Sequence, residues 1–159
     1  MVEALAASLA ANGFVVHRVA PGPGGAAEAE ALVGQLVTGG AGVTVGLAGL
    51  VESGSVALAA APGEPRANSL LCDVHVTLLH DDRILPGLPE LFAAVGGELP
   101  SSLAVVSGPS RSGDIEGMLI VGVHGPREEH VVLLPAGAPL PAAATGRTAD
   151  DYRTSGPGA

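Results

Sequence analysis

Most groups able to do chemistry lie in one stretch, SSLAVVSGPSRSGDIEGMLIVGVHGPREEHVVLLP, residues 101–135. Its run SGPSRSGDIE, residues 107–116, sets three hydroxyls (Ser107, Ser110, Ser112) and the Arg111 guanidinium on a Gly/Pro turn that includes Gly108. Exposed backbone N–H groups on such a turn, at a helix N-terminus, can hold an anion. The same residues also serve as a plain turn, with Asp114 capping a helix. Asp114 and Glu116 would repel a phosphate. They suit a ligand hydroxyl, or a pairing with Arg111. His124 precedes Gly125-Pro126 on a second loop, a place for an acid/base or ligand contact, and His130 opens an apolar run.

These groups need elements to hold them. Ser101–Val106 is apolar and β-branched, as a buried strand is. Gly108 and Pro109 stop it. Residues 115–119 suit a short helical piece with acids in its first turn, and residues 130–134 a second strand. The gap between the strands exceeds the dozen residues a parallel crossover needs. The expectation is a β-loop-α-β unit, with the polar loop at the strand's carboxyl end, where open α/β sheets bind ligands.

Outside this stretch, Glu52 lies in VESGS, residues 51–55, between apolar segments, and is expected to be partly buried. A buried carboxylate is paired or protonated. It then serves as a general base or clamp, or accepts backbone N–H groups at a bend. His75 and His80 fall on opposite faces of a strand over residues 73–80, so they cannot clip one metal. Cys72-x-x-His75 supplies two ligands, which do not make a site. Each histidine by itself is more commonly a hydrogen-bonded structural residue. G-x-S-x-G, P-loop, post-strand G-x-G-x-x-G and H-E-x-x-H patterns are absent.

The 159 residues suffice for one domain with a core of small aliphatic side chains. That core suits a parallel sheet covered by helices. A net charge of −9, with no basic cluster, argues against nucleic acid as a partner. A single cysteine excludes an internal disulfide and a self-contained iron–sulfur cluster. Neither a membrane span nor a signal-peptide pattern is visible, so a cytoplasmic location is expected.

In chain order, helices are expected over residues 1–12, 26–38 and 86–95. Strands are expected over 14–20, 42–45, 55–59 and 73–80. A turn or helical piece is expected at 47–51, loops at 21–25 and 61–69, and a turn at 81–83. That makes six or seven strands and four helices. Residues 136–159, rich in Ala, Gly, Pro, Thr and Ser, are expected to be a disordered tail.

The segment SGPSRSGDIEGMLIVGVHGPREEHVVLL, residues 107–134, closely resembles the signature of the LUD domain, the lactate-utilisation protein C family. GVT at 42–44, ESGSVAL at 52–58, PGEPRANSLL at 62–71, DVHVTLL at 73–79 and RILPGLPE at 83–90 agree in order. The resemblance covers about residues 41–135, within one domain over residues 1–135 whose first forty residues are short for the family's helical lead. Ser112-Gly113 stands where the family usually has Thr-Ala, and GLAGLV before Glu52 lacks an acid often found there.

The resemblance implies a three-layer α/β/α, Rossmann-like fold similar to the sugar-phosphate isomerase and CoA-transferase superfamily. It implies a role in oxidising L-lactate to pyruvate beside two iron–sulfur partner subunits, with no cofactor on this chain. Family motif positions fall on Glu52, Gly54, Ser107, Gly108, Pro109, Ser110, Arg111, Asp114, Glu116, His124, Gly125 and His130. Whether this chain is itself an enzyme stays open. One expectation is an accessory subunit with a small-anion site. The other is a stand-alone isomerase- or transferase-like enzyme, with Glu52 as base and the 107–116 loop holding a phosphate or carboxylate.

Overall fold

The computed structural model describes residues 1–22, 24–37, 41–60, 66–97, 100–109, 111–113, 119–121 and 125–141. Four α-helices are formed among the described residues: α1 Val2–Ala11, α2 Gly25–Leu36, α3 Ala67–Leu70 and α4 Leu88–Val95. Leu5 and Leu9 of α1, one turn apart, are both fully buried. α2 buries Ala29 and Val33 at the same spacing. At the start of α4, the Glu90 carboxylate accepts the Gly87 N–H at 3.1 Å, and Pro89 occupies the first turn, where it costs no hydrogen bond.

Ten strands are formed among the described residues: β1 Val15–Arg18, β2 Gly42–Val45, β3 Ala48–Leu50, β4 Ser55–Ala59, β5 Val74–His80, β6 Ile84–Leu85, β7 Leu103–Val106, β8 Arg111–Gly113, β9 Leu119–Val121 and β10 Glu128–Leu134. The first sheet is all parallel, in the order β1-β10-β5-β2. α2 covers one face, where Ala29 and Val33 meet Val76, Leu78, Val132 and Leu134. α1 covers the other, where Leu5 and Leu9 meet Leu79, Val131 and Leu133. Each such leucine contributes about 1.5–3 kcal/mol by leaving water. The expected α/β class, a parallel sheet flanked by helices, is therefore what the chain adopts.

A second four-stranded sheet departs from expectation. Its order is β6-β3-β4-β7, with antiparallel β3–β4 and β4–β7 pairs. Val56 and Ile84 join it to the α1 side of the first sheet, and Leu91 of α4 packs its other surface against Ala48, Leu50 and Ala57. The expected β-loop-α-β unit over residues 101–134 is not formed. β7 belongs to the second sheet and β10 to the first. β7 is moreover an edge strand with Ala104 and Val105 exposed, rather than a buried one. β8 pairs antiparallel with β9, so strand backbone flanks the place where a helical piece was expected. Residues 114–118 lie outside the described residues. Residues 48–50 are a strand where a turn or helix was expected, and 67–70 form one helical turn that takes over the end of the loop expected at 61–69.

The family resemblance stopped at Pro135, yet Ala138 and Leu140 pack against the α2 side of the core. His80 Nε2 donates to Ala138 O at 2.9 Å. The first residues after β10 are thus held by the sheet. Residues 142–159 lie outside the described residues.

Candidate functional sites

Three polar clusters stand out, and the first gathers part of the signature. β4 ends the bend that carries Glu52, and β7 feeds the loop that starts at Ser107. The antiparallel β4–β7 pair brings these two loops side by side, with Val56 opposite Val106. Ser55 Oγ and Ser107 Oγ share a hydrogen bond of 2.7 Å. Asn12, at the end of α1, donates from Nδ2 to Ser53 O at 2.7 Å and to Gly54 O at 2.8 Å.

Gly54 and Gly108 are required here by the approach of α1. Both have positive φ, 56° and 117°. A Cβ on Gly54 would lie 2.3 Å from Ser8 O, and one on Gly108 2.3 Å from Asn12 O. These two motif glycines therefore let the end of α1 dock against both loops. Glu52, expected to be partly buried, is exposed. The bend turns it outward while its backbone N–H donates to Pro86 O at 2.9 Å. Its carboxylate lies beside Gly87, at the start of α4.

The remaining signature residues divide. Arg111 lies on β8. Ser110, Asp114, Glu116 and His124 fall outside the described residues. Gly125 and Pro126 lead into β10, with Pro126 buried. His130 is 7 % exposed. It alternates with Glu129 and Val131, and so points to the face shared with Val132 and Leu134. Ser55 and Ser107 lie beside α1, over the opposite face. The structure thus joins Glu52, Gly54, Ser107 and Gly108 in one neighbourhood and sets His130 across the sheet from them.

His130 belongs to the second cluster. His17 Nε2 and His130 Nδ1 are 3.0 Å apart, with ring planes within 5° of parallel. His130 Nε2 lies 3.3 Å from Glu128 Oε2. A carboxylate only accepts, so the chain runs from His17 through His130 to Glu128. Burial, reinforced by the neighbouring His130, holds the pKa of His17 below the ordinary histidine value.

Three adjacent strands of the first sheet build the third cluster. Thr44 on β2, His75 on β5 and Glu129 on β10 project to the same face, with His75 directly opposite Glu129. His75 Nδ1 lies 2.7 Å from Glu129 Oε2, and His75 Nε2 lies 2.9 Å from Thr44 Oγ1. Exposure is 0 % for His75, 2 % for Glu129 and 5 % for Thr44. Nδ1 must be the donor to the carboxylate. Nε2 then accepts from the Thr44 hydroxyl when the ring is neutral, and donates to it when the ring is charged. The sequence reading missed Glu129 and Thr44. Their signal was strand alternation, which turns Glu129 and Thr44 to the face that carries His75.

Cys72, just beyond α3, closes this region and donates its thiol to Asn68 O at 3.1 Å. Burial raises its pKa, and the nearby Glu129 and Asp73 add to that rise. Among the described residues there is no grouping of three His, Cys, Asp or Glu side chains able to hold a metal.

Comparison with known proteins places this geometry. The LUD domain model matches residues 25–134. Lactate utilization protein C of Halalkalibacterium halodurans is 38% identical over 105 residues, which are 62% of this chain and 46% of that protein. Lactate utilization protein C of Bacillus licheniformis is 37% identical over 91 residues, 54% of this chain and 38% of that protein. The matched region thus spans less than half the length of these relatives. The crystal structure of a DUF162 family protein from Deinococcus radiodurans shares the fold, with a TM-score of 0.56 at 17% identity, covering 83% of this chain and 94% of that one. The chain belongs to the LUD domain family.

Proposed function

We propose that this chain serves L-lactate utilization in the cytoplasm, as an accessory subunit beside two iron–sulfur subunits that together oxidise L-lactate to pyruvate. The observation that carries this reading is the family match over residues 25–134, with relatives that bear the name Lactate utilization protein C. The cysteine count agrees with it. Cys72 is the single thiol, and iron–sulfur clusters take several. Clusters for the two electrons leaving lactate would then sit on the partners. No helix among the described residues is long and apolar enough to cross a membrane.

The competing stand-alone isomerase- or transferase-like enzyme, with Glu52 as base, gains less support. Glu52 stands in solvent, whereas a general base works best in a closed cleft. Affinity purification of the tagged chain from lactate-grown cells tests the proposal. Two cysteine-rich, iron-containing proteins in the eluate support it. Recovery of the chain by itself, under conditions that preserve such complexes, opposes it.

A further inference from the structure

The Thr44–His75–Glu129 chain is costly where it stands. A buried imidazole and carboxylate occupy core positions where well-packed apolar residues would often be as stabilising or more so. Its outer end reaches a cleft. Thr44 lines a solvent-open cleft of about 30 Å³ together with Arg66, Ser69 and Ser102. This cleft lies between the two sheets, under the segment that carries α3.

Arg66 supplies a cation at the mouth, exposed and without an ion pair among the described residues. Beside Thr44 in register is Thr77, fully buried, whose Oγ1 has no hydrogen-bond partner among the described residues. A buried hydroxyl left unmatched marks a place for a water or ligand atom.

We infer that this cleft binds a small 2-hydroxy or 2-oxo carboxylate, with its carboxylate on Arg66 and its C2 oxygen on the Thr44 hydroxyl. The cation and the hydroxyl relay are properties of the site itself. The choice of the 2-oxygenated class rests on the lactate reading. The relay accommodates either member of such a pair. A ligand hydroxyl donates to Thr44 Oγ1, which donates to neutral His75, which donates to Glu129. A ligand carbonyl instead accepts from Thr44, which accepts from protonated His75. One proton on His75 separates the two arrangements.

The test is an NMR titration of the His75 imidazole in the full chain with L-lactate and pyruvate, with acetate and inorganic phosphate as controls. Saturable shifts with L-lactate and pyruvate are expected. Arg66→Gln, at an exposed position, should weaken both affinities about tenfold with an unchanged melting temperature. Thr44→Val should abolish the His75 response. The inference is overturned by an unresponsive His75, by equal affinity in Arg66→Gln, or by phosphate or acetate binding as well as lactate. Growth separates this site from the proposed function. If wild type and Arg66→Gln restore growth on L-lactate equally, the site fails and the functional reading stands. If the deletion strain grows normally, that reading fails and the titration alone decides the site.

Discussion

His75 and Glu129 face each other across β5 and β10 at 2.7 Å, both sealed from solvent. Two consequences follow. The pair orients the ring so that Nε2 meets Thr44, and it makes each partner dependent on the other.

Removing one partner leaves the other buried and uncompensated. Glu129→Ala should therefore destabilise the fold by about 3–5 kcal/mol, lowering the melting temperature by on the order of 10 °C. The paired replacement His75→Phe with Glu129→Leu should recover most of that loss. Thermal unfolding of both variants checks this, and an additive double mutant would show that the two side chains do not act as a pair.

The end of α1 should prove the keystone of the two signature loops. Asn12→Ala deletes two hydrogen bonds to Ser53 and Gly54 and should cost about 1–3 kcal/mol. Gly108→Ala should cost more, because its Cβ meets Asn12 O in a backbone conformation that L-residues rarely adopt. Chemical denaturation of the two variants gives the order. Gly108→Ala as stable as wild type would refute the packing described.

Ser55 and Ser107 should couple. Each serine-to-alanine change removes the 2.7 Å bond and should cost about 0.5–1.5 kcal/mol. The double variant should cost clearly less than the two single costs added together. A denaturation cycle measures this, and strict additivity would mean that the hydroxyls do not interact.

Much of this was legible in the sequence. The spacing of Leu5 and Leu9 indicated α1, and the strand over 42–45 forms where the β-branched run placed it. Residues 55–59 and the run to His80 likewise form strands. The division into two sheets was not legible. LAVV in β7 is as apolar as a buried strand, while its partner is fixed by the antiparallel β3–β4 and β4–β7 pairings, which local pattern does not encode. Glu129 was hidden for a similar reason. Next to exposed Glu128 it reads as surface charge, and only strand alternation turns it inward to His75. In the signature, glycines and serines marked the loops correctly, but two of the glycines serve the docking of α1.

Stability should also depend on pH through His17. Its pKa is lower folded than unfolded, so the unfolded chain binds a proton first as pH falls. The neutral-form contribution is full above the ordinary value of 6.5, declines below it, and levels off below the folded pKa. His17→Gln should flatten that part of the stability profile, followed by melting temperature between pH 7.5 and 5. An unchanged slope would remove His17 as its source.

The most direct test of the account is growth on L-lactate as sole carbon source after deletion of the gene for this chain, with and without a restored copy. The proposed function predicts loss of growth on L-lactate, normal growth on pyruvate, and full recovery on complementation. Undiminished growth of the deletion strain on L-lactate, with no other LUD domain protein encoded, would contradict it.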